Sequence, residues 1–465
     1  MNTVLVGREQ EYERLHDNFS SRNSGLIVVY GRRRIGKSFF LSSYCQKKQG
    51  LYFEGLEKQH TSDQIKHFTE QLAQQTNDPL LKIAKFTSWE QVFEYLTTLF
   101  KKNKKKQLLI FDEFQWMAAG QSKLVSLLKY YWDNQWKKLK VQLVLCGSIS
   151  SFMIGKVIKS KALYGRIDLE FNMGPLSPKD VSQMLKDKIS VDETLKYMLI
   201  FGGIPKYIEL INPKFSFNKN IQMLCFEKNA YFANEFEKVF YSQFKKHRIH
   251  EKIISLLSKE NLTLEEISHK LKIASSGGLK RYLTELEDAS FIRTASFEEK
   301  KGKKYKLFDE YLIFYFKFIK PHLKLIQAGQ SKNLFNEQIQ SVWTPWTGIA
   351  FENFCFKNLS LIARILDIEG KIKNFGPYSS KKYQGAQIDL LIQTTEKVMY
   401  VVECKYYQKP VESSIIKDFD KKIKALTEFK NYSFKKVLIS PHGVSEELRE
   451  SEYFDFVIKD EDLFG

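Results

Sequence analysis

The sequence predicts an α/β chain that opens on a parallel sheet built around a phosphate-binding loop. Three observations carry this. Residues Gly31-Arg32-Arg33-Arg34-Ile35-Gly36-Lys37-Ser38 fit the pattern G-x-x-x-x-G-K-[ST]. They follow an apolar run, Leu26-Ile27-Val28-Val29-Tyr30, and lead into a helix-like segment from Ser38 to Tyr44. A second apolar run, Gln107-Leu108-Leu109-Ile110-Phe111, ends in the adjacent acids Asp112 and Glu113. Uninterrupted apolar runs suit strands buried on both faces, and such strands belong to parallel sheets covered by helices.

The order strand, glycine loop, helix is the one phosphate binding needs. Gly31 and Gly36 let the backbone curl so that its N–H groups face phosphate, and the helix N-terminus adds positive potential. Lys37 then reaches the β- and γ-phosphates and the Ser38 hydroxyl holds Mg²⁺. The expected nucleotide contacts are therefore Gly31, Arg32, Arg33, Arg34, Ile35, Gly36, Lys37, Ser38 and Phe39. At the end of the acidic strand, Asp112 is expected to hold Mg²⁺ through water and Glu113 to polarise the attacking water. A third apolar run, Val141 to Cys146, ends in Gly147-Ser148. Ser148 is either an ordinary turn serine or a polar sensor beside the γ-phosphate. Arg166 is either a surface arginine or a group that neutralises transition-state charge, in its own subunit or in a neighbouring copy.

Composition bounds what else the chain can be. With 465 residues, 43% hydrophobic and 27% charged, it is long enough for roughly three globular domains and is not of disordered type. The formal charge of +19, from 73 Lys and Arg against 54 Asp and Glu, suits a polyanionic partner, although lysine bias can also be compositional. Five scattered cysteines without a C-x-x-C pair argue against a disulfide framework or zinc site. The first residues lack a signal-peptide pattern, and the run Tyr311 to Phe316 is too short to cross a bilayer. The expectation is a cytoplasmic protein with no membrane partner. The run Lys101-Lys102-Asn103-Lys104-Lys105-Lys106 reads as a solvated loop, with phosphate-backbone contact as the alternative.

Between about Lys245 and Phe308 the pattern changes. Ile249, Ile253, Ile254 and Leu257 repeat at helical spacing, Thr263 caps a second helix through Leu271, and Leu279, Tyr282, Leu283 and Leu286 mark a third. The turn between the second and third contains Ser275 and Ser276. Strand-like segments Phe291 to Phe297 and Lys304 to Phe308 flank a basic turn at Lys300-Lys301-Gly302-Lys303-Lys304. Three helices and a basic hairpin make a winged helix, whose third helix, with Lys280 and Arg281, would meet DNA. Glu285, Glu287 and Asp288 on that helix favour the alternative of an interdomain spacer or protein contact. His247, His250 and His269 read as ordinary helix histidines.

The last part again carries strands. Gln387 to Ile392 contains Asp389, and Val398 to Lys405 presents Glu403 and Lys405 on one face, since alternate residues of a strand share a side. A turn between them brings the acids together. Gly348 to Cys355 is an amphipathic helix containing Glu352, Ile415 to Leu426 is a packing helix, and Lys435 to Ser440 is another strand.

Two resemblances follow from these residues. From Met1 to Glu237 the chain resembles archaeal-type ATPases of the AAA-related P-loop NTPases, close to the STAND class. The resemblance rests on the loop, the acidic strand, Val6-Gly7-Arg8-Glu9 with Glu11 and Leu15, and Gly202-Gly203-Ile204-Pro205-Lys206-Tyr207. It implies ATP as ligand, Gly7 and Arg8 near the adenine, and Pro205 packed near the base from a helical lid. From Trp346 to Val457 the chain resembles the PD-(D/E)xK nuclease-like domain found on such ATPases. That implies Mg²⁺ or Mn²⁺ on Asp389 and Glu403, Lys405 activating water, and Glu352 as a supporting acid. Relatives often carry glutamate where this chain has Gln387, which puts metal binding in question.

The expected fold class is thus α/β: a P-loop NTPase with parallel sheet and helical lid, then a winged helix and a restriction-endonuclease-like domain. The expected boundaries are 1–175 for the ATPase core, 176–244 for the lid, 245–310 for the winged helix, 311–345 for a helical connector and 346–465 for the nuclease-like domain. Two functions fit: an ATP-regulated, metal-dependent nuclease acting on DNA, or a regulatory ATPase switch that binds DNA or protein without cutting. Homo-oligomers are compatible with both, and the sequence names no protein partner.

Overall fold

The computed structural model describes residues 5–21, 23–82, 85–119, 123–148, 150–186, 188–244, 247–274, 277–294, 297, 303–379 and 386–465. The expected turn at Ser275 and Ser276 and the basic turn at Lys300, Lys301 and Gly302 lie outside the described residues. The chain forms two compact units, Met1–Pro175 and Leu176–Gly465. Among the described residues no helix is long and apolar enough to cross a membrane.

The first unit is a five-stranded, all-parallel sheet in the order β2-β3-β4-β1-β5. The strands are β1 (Gly25–Tyr30), β2 (Leu51–Glu54), β3 (Gln107–Asp112), β4 (Val141–Gly147) and β5 (Leu169–Asn172). The central strands β1, β3 and β4 are buried almost throughout, as their unbroken apolar runs require. One face is sealed by rings: Phe53 stacks on Phe68 with centroids 3.8 Å apart, and Phe93 meets Trp136 edge-on at 5.0 Å. The helix Trp89–Lys102, capped by Ser88 accepting from the Gln91 N–H, supplies Trp89, Phe93 and Phe100 to this layer. Lys101, Lys102, Lys104 and Lys105 are exposed, but Lys106 is half-buried. Its amine donates to the carbonyls of Asn18 (3.3 Å) and Phe19, at the end of the helix Glu9–Ser21. A lysine there satisfies carbonyls that have no partner within the helix, while burial pushes its pKa down to about 8.

The second unit begins with helices. The helix Val191–Phe201 ends at Gly202, whose φ of 60° suits glycine, and Pro205 starts the helix Pro205–Ile208 at its first position. Gly203 passes so close to Leu176 that a Cβ would stand 2.1 Å from its carbonyl oxygen. Three helices follow, His247–Leu257, Leu264–Leu271 and Gly277–Asp288, with a small antiparallel sheet in the order β6-β8-β7. Its strands are β6 (Leu262–Thr263), β7 (Ile292–Thr294) and β8 (Lys304–Leu307). Thr263 and Glu266 form a reciprocal capping box that starts the second helix. His250 is a core histidine, stacked on Phe244 at 4.0 Å and bonded to Glu285 at 2.9 Å. Of the strand expected from Phe291 to Phe297, Ile292–Thr294 is strand, residues 295–296 lie outside the described residues, and Phe297 packs with Tyr378 and Phe429.

A longer helix, Gln340–Lys357, runs unbroken through position 345/346, so the expected boundary there falls inside a helix. It leads to a mixed five-stranded sheet in the order β13-β12-β11-β10-β9. These are β9 (Ile372–Ser379), β10 (Gln387–Thr394), β11 (Val398–Cys404), β12 (Ser433–Ile439) and β13 (Phe456–Ile458). β9, β10 and β11 are antiparallel, whereas β11, β12 and β13 are parallel, and the helix Ile415–Lys424 crosses between β11 and β12. β9 carries Gly376 and Pro377 and was not singled out in the sequence; as an edge strand it tolerates a residue without an N–H.

Candidate functional site

In the first unit the loop between β1 and the helix Lys37–Lys48 is shaped by three left-handed residues: Gly31 (φ 148°), Arg34 (φ 73°) and Gly36 (φ 90°). Gly31 has no alternative, because a Cβ would lie 2.5 Å from the Met173 carbonyl oxygen. The Lys37 amine is buried and curls back onto the carbonyls of Gly31 (2.9 Å) and Arg32 (2.8 Å). Burial lowers its pKa, opposed by Cys146, Glu113 and Asp112. A phosphate arriving in the loop would exchange these carbonyls for anionic oxygens. Arg32 and Ile35 are buried, Arg34 is half-buried, Phe39 is exposed, and Arg33 reaches Glu57 at 3.4 Å. Arg8, itself at φ 95° beside Gly7 at φ 63°, donates to the carbonyls of Ile35 (3.2 Å) and Gly174 (2.7 Å). Arg8 is thus a brace on the back of the loop.

The acids stand at the end of β3. Asp112 is buried, accepts from the Glu113 N–H at 2.8 Å, and accepts from the Tyr52 hydroxyl. Burial first, then Asp112, pushes the Tyr52 pKa up, and the neighbouring Ser38 hydroxyl partly offsets this. Tyr52 therefore joins the two expected Mg²⁺ ligands; sequence reading missed it because β2 carries no motif. A hydroxyl and a carboxylate are the hard oxygen donors that Mg²⁺ takes alongside nucleotide phosphates, so the residues present fit that ion. Glu113 (φ 49°) accepts from Ser148 at 2.8 Å and from the Gln115 amide. Ser148 is buried and bonded, so it is not a free turn serine. Glu54 pairs in register with Asp112, and burial followed by Asp112 and Glu113 raises its pKa. Arg166 is held by Asp133 through two bonds of 2.7 and 2.9 Å. Pro205 lies in the second unit, half-buried at the start of its short helix.

In the second unit Asp389 and Glu403 lie one step beyond the paired residues Leu390 and Val402 of β10 and β11, so their side chains share a face. Asp389 accepts from the Cys404 N–H at 2.9 Å, and burial followed by Glu403 raises its pKa. Glu403 is buried and takes two lysines: Lys405 at 2.8 Å and Lys422, from the helix Ile415–Lys424, at 2.5 Å. Burial opposes charge on Lys405, but Glu403 and Asp389 outweigh it and raise its pKa. Glu352 projects from the helix Gln340–Lys357 into the field of this group; burial first, then Asp389, pushes it up to about 7. Lys422 was not identified in the sequence, since a lysine on a charged helix carries no signal. Among the described residues no group of three or more His, Cys, Asp or Glu is arranged to hold a metal ion. The two carboxylates suit Mg²⁺ or Mn²⁺ by donor type, but both Glu403 oxygens are engaged by lysines. Gln387 starts β10 and lines a cavity with Glu352.

Two families match parts of the chain, and the first extends from the first unit into the second. Residues 5–211 match a family described as an ATPase domain predominantly from Archaea. Residues 315–418, which contain Glu352, Asp389, Glu403 and Lys405, match a family of archaeal and bacterial proteins of unknown function. An uncharacterized protein of Methanocaldococcus jannaschii is 28% identical over 413 residues, 87% of this chain and 88% of that one. An uncharacterized ATP-binding protein of the same organism is 33% identical over 46 residues, 10% of this chain and 78% of its own. The solved Walker-type ATPase of Pyrococcus abyssi has a TM-score of 0.54 at 18% identity, covering 67% of this chain and 96% of that one. The chain therefore carries a P-loop ATPase domain, followed by further domains that include a second sheet.

Proposed function

We propose that the ATPase cycle governs metal-dependent phosphodiester cleavage of DNA by the carboxylate site of the second unit. The observation that carries this reading is the convergence of Asp389, Glu403, Lys405 and Glu352 at one end of β10 and β11. Two carboxylates on adjacent strands with a lysine two residues after one of them are the parts of a PD-(D/E)xK site. Bound Mg²⁺ or Mn²⁺ would supply Lewis-acid stabilisation of the phosphate and a more acidic water. Asp389 and Glu403 would hold that ion, Lys405 would orient the water, and Glu352 would support Asp389 from the helix. Metal binding at Glu403 requires Lys422 to withdraw or share the carboxylate.

In the first unit Lys37 would grip the nucleotide phosphates, with Ser38 and Asp112 on Mg²⁺, Glu113 polarising water and Ser148 reporting on its carboxylate. Gly7 and Arg8 would lie near the adenine, and Pro205 would belong to the lid. Arg166 enters hydrolysis only after leaving Asp133. The three helices with β6, β7 and β8 are read as a winged helix, giving a domain order of ATPase core (1–175), lid (176–244), winged helix (245–310), connector (311–345) and nuclease-like domain (346–465). DNA is favoured as partner by the +19 charge. A second reading is favoured by the two lysines on Glu403: a switch that binds DNA or protein and cuts nothing.

The test is cleavage of supercoiled and linear DNA with Mg²⁺ or Mn²⁺, with and without ATP, by wild type, Asp389→Ala and Lys37→Ala. Cutting that requires Asp389 and changes with ATP and with Lys37 supports the nuclease. ATP hydrolysis and DNA binding without cutting would move the conclusion to the switch.

A further inference from the structure

We propose that the cavity of about 1010 Å³ beside Glu352 is a channel for a single, unpaired nucleic-acid strand. This rests on the nuclease-like reading and adds its substrate class. The cavity lies wholly in the second unit, between the end of the helix His247–Leu257, β8, the segment 313–321 and the helix Gln340–Lys357. Glu352 and Gln387 are part of its wall.

Charge is the first argument. Lys259, Lys306, Lys317 and Lys320 line the cavity, and none of them forms an ion pair with a described carboxylate. The wall residue Glu260 is already paired with Lys270 at 2.6 Å. Burial, with Lys259 nearby, lowers the Lys320 pKa and outweighs the opposing pull of Glu251; burial and Arg293 likewise outweigh Glu352 at Lys306. A row of phosphates is the ligand that relieves this arrangement.

Unpaired polar groups are the second. Asn353 is buried, lines the cavity, and has a hydrogen-bond partner for neither its Oδ1 nor its Nδ2. The Trp346 indole N–H, also at the wall, is likewise unbonded. Buried polar atoms of this kind call for a water or a ligand edge. Beside them the half-buried Phe316 offers aromatic surface, on which bases stack without regard to sequence.

Size decides between strand and duplex. The volume is at the upper end of what cofactor-sized ligands fill, about 300–1,000 Å³, so it admits a few nucleotides of one strand and excludes a double helix. Scission at Glu352 would then act on an end, flap or melted segment.

The test uses the full chain in EDTA, with anisotropy of a fluorescein-labelled oligothymidylate and a blunt hairpin duplex and polyglutamate as competitors. The Lys317→Glu/Lys320→Glu protein, its fold checked by circular dichroism, should bind the oligonucleotide at least tenfold more weakly. Its plot of log affinity against log salt should be shallower by about 1.4, from roughly 0.7 for each lost phosphate contact on a single strand. Ile349→Glu, which places an acid on an exposed wall residue, should weaken binding independently. Unchanged affinity and slope in both variants, or displacement by duplex or polyglutamate as effective as by unlabelled oligothymidylate, overturns the channel. Because EDTA removes divalent ions, binding is scored apart from cutting. Channel-dependent binding without cleavage in a parallel Mg²⁺ assay would overturn the nuclease and leave the channel standing.

Discussion

Both units place a pair of acids at the end of a sheet, but they hold those acids in different ways. In the first, Asp112 and Glu113 are adjacent in sequence and are tethered by neutral donors: a tyrosine hydroxyl, a serine hydroxyl and an amide. In the second, Asp389 and Glu403 come from two strands, and Glu403 is neutralised by two lysines. Neutral donors orient a carboxylate and leave its charge for an incoming cation. Lysines cancel that charge, so a divalent ion must compete with them. The first pair is held by neutral groups; the second is guarded.

The comparison breaks most easily at Lys37. Lys37→Ala should reduce ATP hydrolysis to background, at least about 10³-fold, if the amine meets the transferring phosphate. Phosphate release measures it, and substantial residual turnover would mean the loop is not catalytic. Glu113→Gln should lower kcat by about 10²–10³-fold while nucleotide still binds, the signature of lost water activation. Equal weakening of nucleotide binding would assign Glu113 to positioning instead.

The guarded site gives smaller effects. Lys422→Met leaves the buried Glu403 with one cation, so the metal-free protein should lose about 1–3 kcal/mol. Mn²⁺ should then raise its melting temperature more than that of wild type. A melting curve insensitive to Mn²⁺ in both proteins would argue that no ion binds there. Glu352→Gln tests the field around the cluster. Its folded pKa of about 7 lies above the unfolded carboxylate range, so the folded state holds the proton more tightly. Its contribution is neutral below about pH 4, becomes increasingly destabilising as pH rises from there to about 7, and levels off above that at about 3 kcal/mol. Glu352→Gln should therefore stabilise the protein at pH 8 and change little at pH 4, as read from thermal melts.

Legibility in the sequence follows the same division. The phosphate loop was readable because its geometry is local: Gly31 and Gly36 take left-handed angles that few other residues accept, and Lys37 and Ser38 follow directly. Strands β1, β3 and β4 were readable because burial on both faces leaves continuous apolar runs. Tyr52 and Lys422 were not, since each reaches its carboxylate only through sheet pairing or helix packing. β9 was hidden by Gly376 and Pro377, which read as a turn until the edge position is known. Lys106 looked like one more solvated cation, and only the end of a neighbouring helix gave it carbonyls to cap.

The position of β4 in the first sheet acts as a ruler. It lies between β1, which feeds the phosphate loop, and β3, which ends in Asp112. Two strand spacings, roughly 9–10 Å, therefore separate the roots of the lysine and the acids. Had β1 and β3 been neighbours, about 5 Å would remain, enough for an ion pair and little else. Under the proposed ATPase reading, the extra width would leave room for a terminal phosphate and a water molecule between lysine and acids, beside the Ser148 hydroxyl that donates to Glu113.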